Sequence, residues 1–262
     1  MKSQKFNLAL ITGASSGIGE ALCHLLANQG IDLLITGRDA SRLTLIAEEL
    51  RKKVRVTAFN ADLTLSEGRQ RVIQKVEAYS PDLVINNAGF GLYGDALSYQ
   101  VKDQLDILTV NCNAVLEITL ESARLLISEN RKGVIMNISS VASFYVFPGL
   151  AVYAAAKSLI TQVSQSLDLE MQSKGIRVLV SCPGMVETNF SRRASGNVHL
   201  KSSVTAMTAE SAAQAIWQQI QSGTPCQIID WKSSLSLYLS YLIPKRWLAK
   251  ILRTYVVDRL PK

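Results

Sequence analysis

Short runs rich in branched apolar residues recur along the chain: FNLALIT (6–12), IDLLIT (31–36), VRVTAFN (54–60), DLVINN (82–87), GVIMNIS (133–139), IRVLVS (176–181) and CQIID (226–230). Most are continuous rather than alternating, the pattern of strands covered on both faces. Between them apolar positions recur at helical spacing, as in Leu43, Ile46, Ala47 and Leu50, or Leu159, Val163, Leu167 and Leu169. Strand alternating with helix predicts a parallel sheet of about seven strands with right-handed crossovers and helices on both faces, a doubly wound α/β fold. No repeat, low-complexity tract or linker divides the 262 residues, a length that suits one domain with a full core. In such a sheet ligands lie beyond the carboxyl ends of the strands, at the point where the strand order reverses. The residues that follow each run are therefore the candidates for chemistry.

The first run leads into TGASSGIG, Thr12 to Gly19. Gly13 allows a tight turn, and Gly17 and Gly19 let backbone approach a pyrophosphate and helix pack on strand. With Ser15, Ser16 and Ile18 they form a loop at a helix N-terminus, where free N–H groups and the helix dipole favour phosphate. The second run ends at Thr36-Gly37-Arg38. A carboxylate near this point would hold the ribose 2′-hydroxyl of NAD, whereas an arginine accommodates a 2′-phosphate. Arg38, with Arg42 a turn later in support, points to NADP(H), and Asp39 suits the N-cap of the next helix. Asp62 and Leu63, after the third run, are candidates for the adenine edge, although an Asp in such a turn also caps helices.

The fourth run ends in Asn86-Asn87-Ala88-Gly89 and the fifth in Asn137-Ile138-Ser139-Ser140. Tyr153-Ala-Ala-Ala-Lys157 follows, and four residues apart on a helix share a face. A phenol with a pKa of about 10 is a poor base at neutral pH. A neighbouring ammonium is expected to bring it down, so that Tyr153 exchanges a proton with a substrate oxygen. Ser140 would hydrogen-bond the same oxygen. With TGxxxGxG at Thr12–Gly19, NNAG at Asn86–Gly89, YxxxK at Tyr153–Lys157, and Pro183-Gly184 with Thr188 after the sixth run, residues 6–190 closely resemble the short-chain dehydrogenase/reductase family. The resemblance implies a single-domain doubly wound (Rossmann-type) fold over residues 1–230, with a substrate lid near 191–208. It implies that Lys157 also holds the nicotinamide ribose and that Asn111 anchors a water relay to Lys157. Asn87, Ala88, Gly89, Pro183, Gly184, Val186 and Thr188 would line the cofactor, Val186 through its backbone and Thr188 through its hydroxyl.

Composition adds limits. Charged residues make up 19% and apolar residues 48%, which excludes disorder and a disulfide scaffold. Cys23, Cys112, Cys182 and Cys226 are scattered, so neither a metal knuckle nor a redox dithiol is read from them, and a reduced, cytoplasmic setting is expected. His24 and His199 are the only histidines, too few for a His-based triad or metal site; His24 reads as a helix-packing residue. No apolar run approaches the roughly 18 residues of a membrane span. Lys2 and Lys5 before an apolar stretch mimic a signal peptide, but Asn7 interrupts it and a buried first strand fits better.

The family commonly ends soon after a seventh strand and a glycine pair. Here CQIID runs into Trp231 and an extension, 231–262, without that pair. This departure argues against the 3-oxoacyl-carrier-protein reductase type and its tetramer; a homodimer is expected. The extension carries seven basic residues against Asp258 alone, a net of +6 within a whole-chain charge of +7, so the basic balance says nothing of nucleic acid. Pro244 is placed to open a helix on which Trp247, Leu248, Ile251, Leu252 and Tyr255 form one stripe. Such a basic amphipathic helix packs on the body or on a partner subunit, or lies in a membrane interface. The expectation is thus an NADPH-dependent oxidoreductase that interconverts a carbonyl, ketone or aldehyde and lipophilic, with its alcohol. Asn111, Ser140, Tyr153 and Lys157 are its catalytic set. The alternative is a non-catalytic NADP(H)-binding regulator that docks a partner or membrane through the extension.

Overall fold

A computed structural model describes residues 5–188, 190, 194, 206–240 and 242–257. Seven strands form one sheet, all parallel: β1 (Leu8–Thr12), β2 (Asp32–Gly37), β3 (Val56–Asn60), β4 (Leu83–Asn86), β5 (Gly133–Ile138), β6 (Ile176–Cys182) and β7 (Cys226–Ile228). Their order is β3-β2-β1-β4-β5-β6-β7, so it reverses between β1 and β4. All seven coincide with the apolar runs.

Successive strand residues bury on opposite faces, as the pleat requires. Ala9, Ile11, Leu33, Ile35, Leu83 and Ile85 meet α1 (Gly17–Asn28), α2 (Ala40–Leu50) and α7 (Ala209–Ser222) on one side. Leu10, Leu34, Val84, Ile135 and Val178 meet α3 (Ser66–Tyr79) and α5 (Ala114–Ser128) on the other. Leu43, Ile46, Ala47 and Leu50 are the buried face of α2, as their spacing predicts.

The helix α6 (Ala151–Met171) corrects one expectation. Leu159 and Leu169 of its predicted apolar stripe are exposed. The buried stripe is instead Tyr153, Lys157, Ile160, Thr161, Ser164 and Asp168, whose polar members find partners inside the sheet. Ser164 Oγ accepts from Asn137 Nδ2 at 2.9 Å, and Asp168 accepts two bonds from Arg177, at 2.7 and 2.9 Å. His24 is half-buried, 3.7 Å from Glu49 across the α1–α2 contact. The scattered cysteines also gain a neighbour: the Cys182 and Cys226 thiols interact between β6 and β7, which lowers the Cys226 pKa and raises that of Cys182.

One buried carboxylate ties β1 to the loop before β4. Asp82 accepts from the backbone N–H of Asn7 and Leu8, each at 3.0 Å, and from Asn7 Nδ2 at 2.8 Å. Asp82→Ala would strand these donors, at a cost of about 3 kcal/mol. For a domain of this size the Tm is expected to fall by roughly 6–12 °C. Thermal unfolding monitored by circular dichroism checks this; an unchanged Tm would remove Asp82 from that role.

Beyond β7 come α8 (Trp231–Ser240) and α9 (Lys245–Val257). Among the described residues no helix is long and apolar enough to cross a membrane.

Candidate active site

The carboxyl ends of the strands open into a cavity of about 930 Å³. It runs from the loop after β1 and the end of β2 to the first turns of α6, with the segment after β6 on its far side.

At one end lies the glycine loop. Gly13 has φ +67°, and a Cβ there would come within 2.8 Å of Ala88 Cα; Gly17 has φ +58°, and its Cβ would lie 2.8 Å from Thr188 Cγ2. Both conditions favour glycine. Gly13, Ser15, Ser16, Gly17 and Ile18 line the cavity. Gly19 is not among its lining residues; it is buried where a Cβ would strike Gly13 O at 2.3 Å, so it serves helix–loop packing. The loop is held from below: Asn87 Nδ2 donates to Thr12 O at 3.0 Å and Gly13 O at 3.1 Å, while the N–H groups of Asn87 and Ala88 donate to Thr12 Oγ1. Ser16, the N-cap of α1, makes no side-chain capping bond, unlike Asp39 at α2 and Thr208 at α7. The first N–H groups of α1 thus stay available beside the cavity, an arrangement that fits a dinucleotide pyrophosphate.

Arg38 is exposed at the cavity edge, and its guanidinium enters no ion pair or hydrogen bond among the described residues. Asp39 turns away to accept from Arg42 N at 2.9 Å. Arg42, expected in support, pairs with Glu20 and is not among the lining residues. Asp62 and Leu63 line the wall, with Asp62 Oδ1 accepting from Thr64 N at 2.9 Å and Thr64 Oγ1 at 2.8 Å. A guanidinium uncommitted to any carboxylate suits a 2′-phosphate.

At the other end, Ser140, Tyr153 and Lys157 converge. Tyr153 is buried, its ring 5.4 Å from that of Phe190, and its phenol is close enough to Ser140 for the hydroxyl to favour the phenolate. Ser140 Oγ also accepts from Ala142 N at 3.1 Å. Lys157 is buried and donates from Nζ to Ile138 O at 2.8 Å, 5.7 Å from the centre of the Tyr153 ring. Burial lowers the Lys157 ammonium to about 8. Burial also pushes the Tyr153 phenol above its ordinary value, and the influence opposing that push is the Ser140 hydroxyl. Contrary to expectation, Lys157 is not among the influences that lower the phenol: its ammonium stands over the Tyr153 ring and donates to the Ile138 carbonyl.

Asn111 sits behind the wall in a π-helical turn, Thr109–Asn113, between α4 (Val101–Leu108) and α5. Such turns recur at functional sites. Its Nδ2 donates to Phe90 O at 2.7 Å and Ile107 O at 2.9 Å, while its buried Oδ1 has no hydrogen-bond partner among the described residues. A Cβ at Gly89 would fall 2.5 Å from that oxygen and 3.3 Å from Lys157 Nζ, so Gly89 keeps the space between them clear. An unpaired buried acceptor beside a lysine fits a water relay.

Asn87, Ala88, Gly89, Pro183, Gly184, Val186 and Thr188 all line the cavity. Sequence reasoning missed its apolar walls, Tyr93, Tyr145, Phe147, Leu150 and Phe190, and also Ser233 and Leu252 from the extension. The aromatic run Phe144-Tyr145-Val146-Phe147, just before α6, was the available signal. Most of the expected lid, His199 included, lies outside the described residues; Met207, at its end, forms a bridge with Val186.

The family model for short chain dehydrogenase matches residues 7–198. Sulfoacetaldehyde reductase 2 of Chromohalobacter salexigens is 33% identical over 219 residues, covering 80% of this chain and 87% of that protein. Among solved structures, a short-chain dehydrogenase from Sphingobium yanoikuyae in complex with NADPH is similar with a TM-score of 0.79 and 28% identity, over 90% of this chain and 95% of that one. The bulky-bulky ketone specific alcohol dehydrogenase from Comamonas testosteroni follows, with a TM-score of 0.77 and 26% identity over 91% and 94%.

Proposed function

The chain belongs to the short-chain dehydrogenase family, and from that premise we propose that it is an NADPH-dependent reductase of lipophilic ketones or aldehydes, reversible to the alcohol. The observation that carries the reading is the meeting of Ser140, Tyr153 and Lys157 at one end of a cavity whose other end is the glycine loop and Arg38. The loop from Gly13 to Gly17 would hold the pyrophosphate, Arg38 the 2′-phosphate, Asp62 and Leu63 the adenine edge, and Pro183 to Thr188 the nicotinamide. When bound, the cofactor supplies a hydride to the carbonyl carbon. Tyr153 donates its phenolic proton to the carbonyl oxygen, which leaves as the alcohol hydroxyl. Ser140 hydrogen-bonds that oxygen and steadies its developing charge. Lys157 holds the ribose hydroxyls and, with Asn111 Oδ1, returns a proton from solvent to the phenolate. The aromatic lining of Tyr145, Phe147 and Phe190 supports a lipophilic substrate, as does likeness to an enzyme whose ketones are described as bulky.

The test is cofactor oxidation by the purified protein, with NADPH and NADH in parallel, over ketones and aldehydes of increasing chain length. Turnover with NADPH that improves with chain length is expected. NADPH binding without turnover of any carbonyl would leave the regulator reading instead. Arg38→Ala is expected to raise the KM for NADPH by about 10–100-fold, the loss of one charge-assisted phosphate contact of roughly 1.5–3 kcal/mol, with NADH kinetics unchanged. An equal effect on both cofactors would remove Arg38 from 2′-phosphate recognition.

A further inference from the structure

The extension carries a second surface, beyond the family match that ends at residue 198. On α8 the exposed large apolar residues are Trp231, Leu235, Tyr238 and Leu239, at helical spacings of four, three and one, and Leu242 in the following turn continues them at 81% exposure. This is the reverse of the usual surface helix, whose apolar stripe faces the core. On α9 the stripe read from the sequence splits. Leu248 and Leu252 are half-buried, with Leu252 lining the cavity, while Trp247 (70% exposed) and Ile251 face outward. Exposed basic residues stand beside them: Arg246, Lys250 and Arg253 on α9, with Lys245 in its first turn and Lys232 on α8. No ion pair of the described residues involves any of the five, and residues 231–257 contain no acid. Two cations in the first turn of α9 also oppose its dipole, an arrangement that an external anion would relieve.

We propose that α8 and α9 together form a docking surface for an anionic lipid bilayer, on which the protein lies without spanning it. Two exposed tryptophans and a tyrosine supply amphipathic rings suited to the headgroup boundary, the leucines and Ile251 reach the acyl edge, and the interspersed Lys and Arg meet anionic headgroups. Charge selects the lipid over a second copy. Against its own image the face would set cation against cation. Against the rest of the chain, which nets only +1 when the extension's +6 is removed from +7, it finds no acidic excess. Docking would hold the cavity mouth, to which Leu252 contributes from the inner side of α9, next to the lipid. The proposal does not depend on the carbonyl reading.

Sedimentation of the full chain with vesicles tests it, using phosphatidylcholine alone or mixed with phosphatidylglycerol, at low and high salt. Binding to the mixed vesicles, weakened by salt and weak on phosphatidylcholine alone, is expected. Two variants locate it: Trp247→Ala with Ile251→Ala, and Lys250→Glu with Arg253→Glu. Each is expected to lower the partition coefficient by at least about tenfold at unchanged Tm; the second alters only exposed charges and keeps the test open should the first fold poorly. Absence of co-sedimentation, or binding equal in all three proteins, overturns the proposal. So does a dimer in sedimentation velocity without vesicles that Trp247→Ala with Ile251→Ala dissociates, since the face would then belong to a partner subunit.

Discussion

Tyr153→Phe is expected to lower carbonyl turnover by about 10²–10⁴-fold and to leave the affinity for NADPH unchanged. The substitution removes one O–H and nothing else. The ring keeps its place, since it packs on Phe190 at 5.4 Å and over Gly91, where a Cβ would come within 2.9 Å of Tyr153 Cδ2. Loss of the polar influence between the phenol and Ser140 costs at most about 1 kcal/mol of stability, too little to unfold the domain, so lost activity is lost chemistry. NADPH affinity by fluorescence titration and turnover under saturating cofactor separate the two. The raised phenol pKa also sets the sign of the pH response. A phenol above its ordinary value keeps its proton at neutral pH, so reduction, which spends that proton, runs there. Alcohol oxidation needs the phenolate and is expected to quicken as pH rises. Turnover retained in Tyr153→Phe would take the proton transfer away from this residue.

The sheet was legible because a strand covered on both faces admits few polar residues, and all seven apolar runs are strands. The ends of those strands were legible for the same reason: a glycine or asparagine stands out after an uninterrupted apolar run. What the sequence hid was anything set by contact across distance. The inward stripe of α6 is polar because Lys157, Thr161, Ser164 and Asp168 are satisfied by residues of other elements, so apolar periodicity chose Leu159 and Leu169, which lie outside. Cys182 and Cys226 are 44 positions apart and meet only through the β6–β7 register. The α9 stripe was visible as one feature, and only packing against the body divides Leu248 and Leu252 from Trp247 and Ile251. The separate duties of Gly17, at the cavity, and Gly19, in packing, likewise depend on what stands opposite each.

Lys157→Met is expected to abolish detectable turnover and, at neutral pH, to make the protein more stable. The ammonium is buried with one acceptor among the described residues, Ile138 O, and burial holds it at about 8, below the ordinary lysine value. The folded state therefore binds its proton less tightly than the unfolded chain does. The resulting penalty is fully present below about pH 8 and is relieved as pH rises toward the ordinary value near 10.4. At 1.36 kcal/mol per pH unit its ceiling is about 3 kcal/mol, less about 1 kcal/mol for the bond to Ile138. Methionine fills the same space without a charge, so the Tm at pH 7 is expected to rise by roughly 4–8 °C, with the gain shrinking as both proteins are measured at higher pH. A lower Tm for Lys157→Met, or a difference independent of pH, would show that the lysine is not strained. A gain would instead identify a residue kept against the interest of the fold, in the place where the proposed chemistry needs a cation beside the ribose and the unpaired Asn111 oxygen.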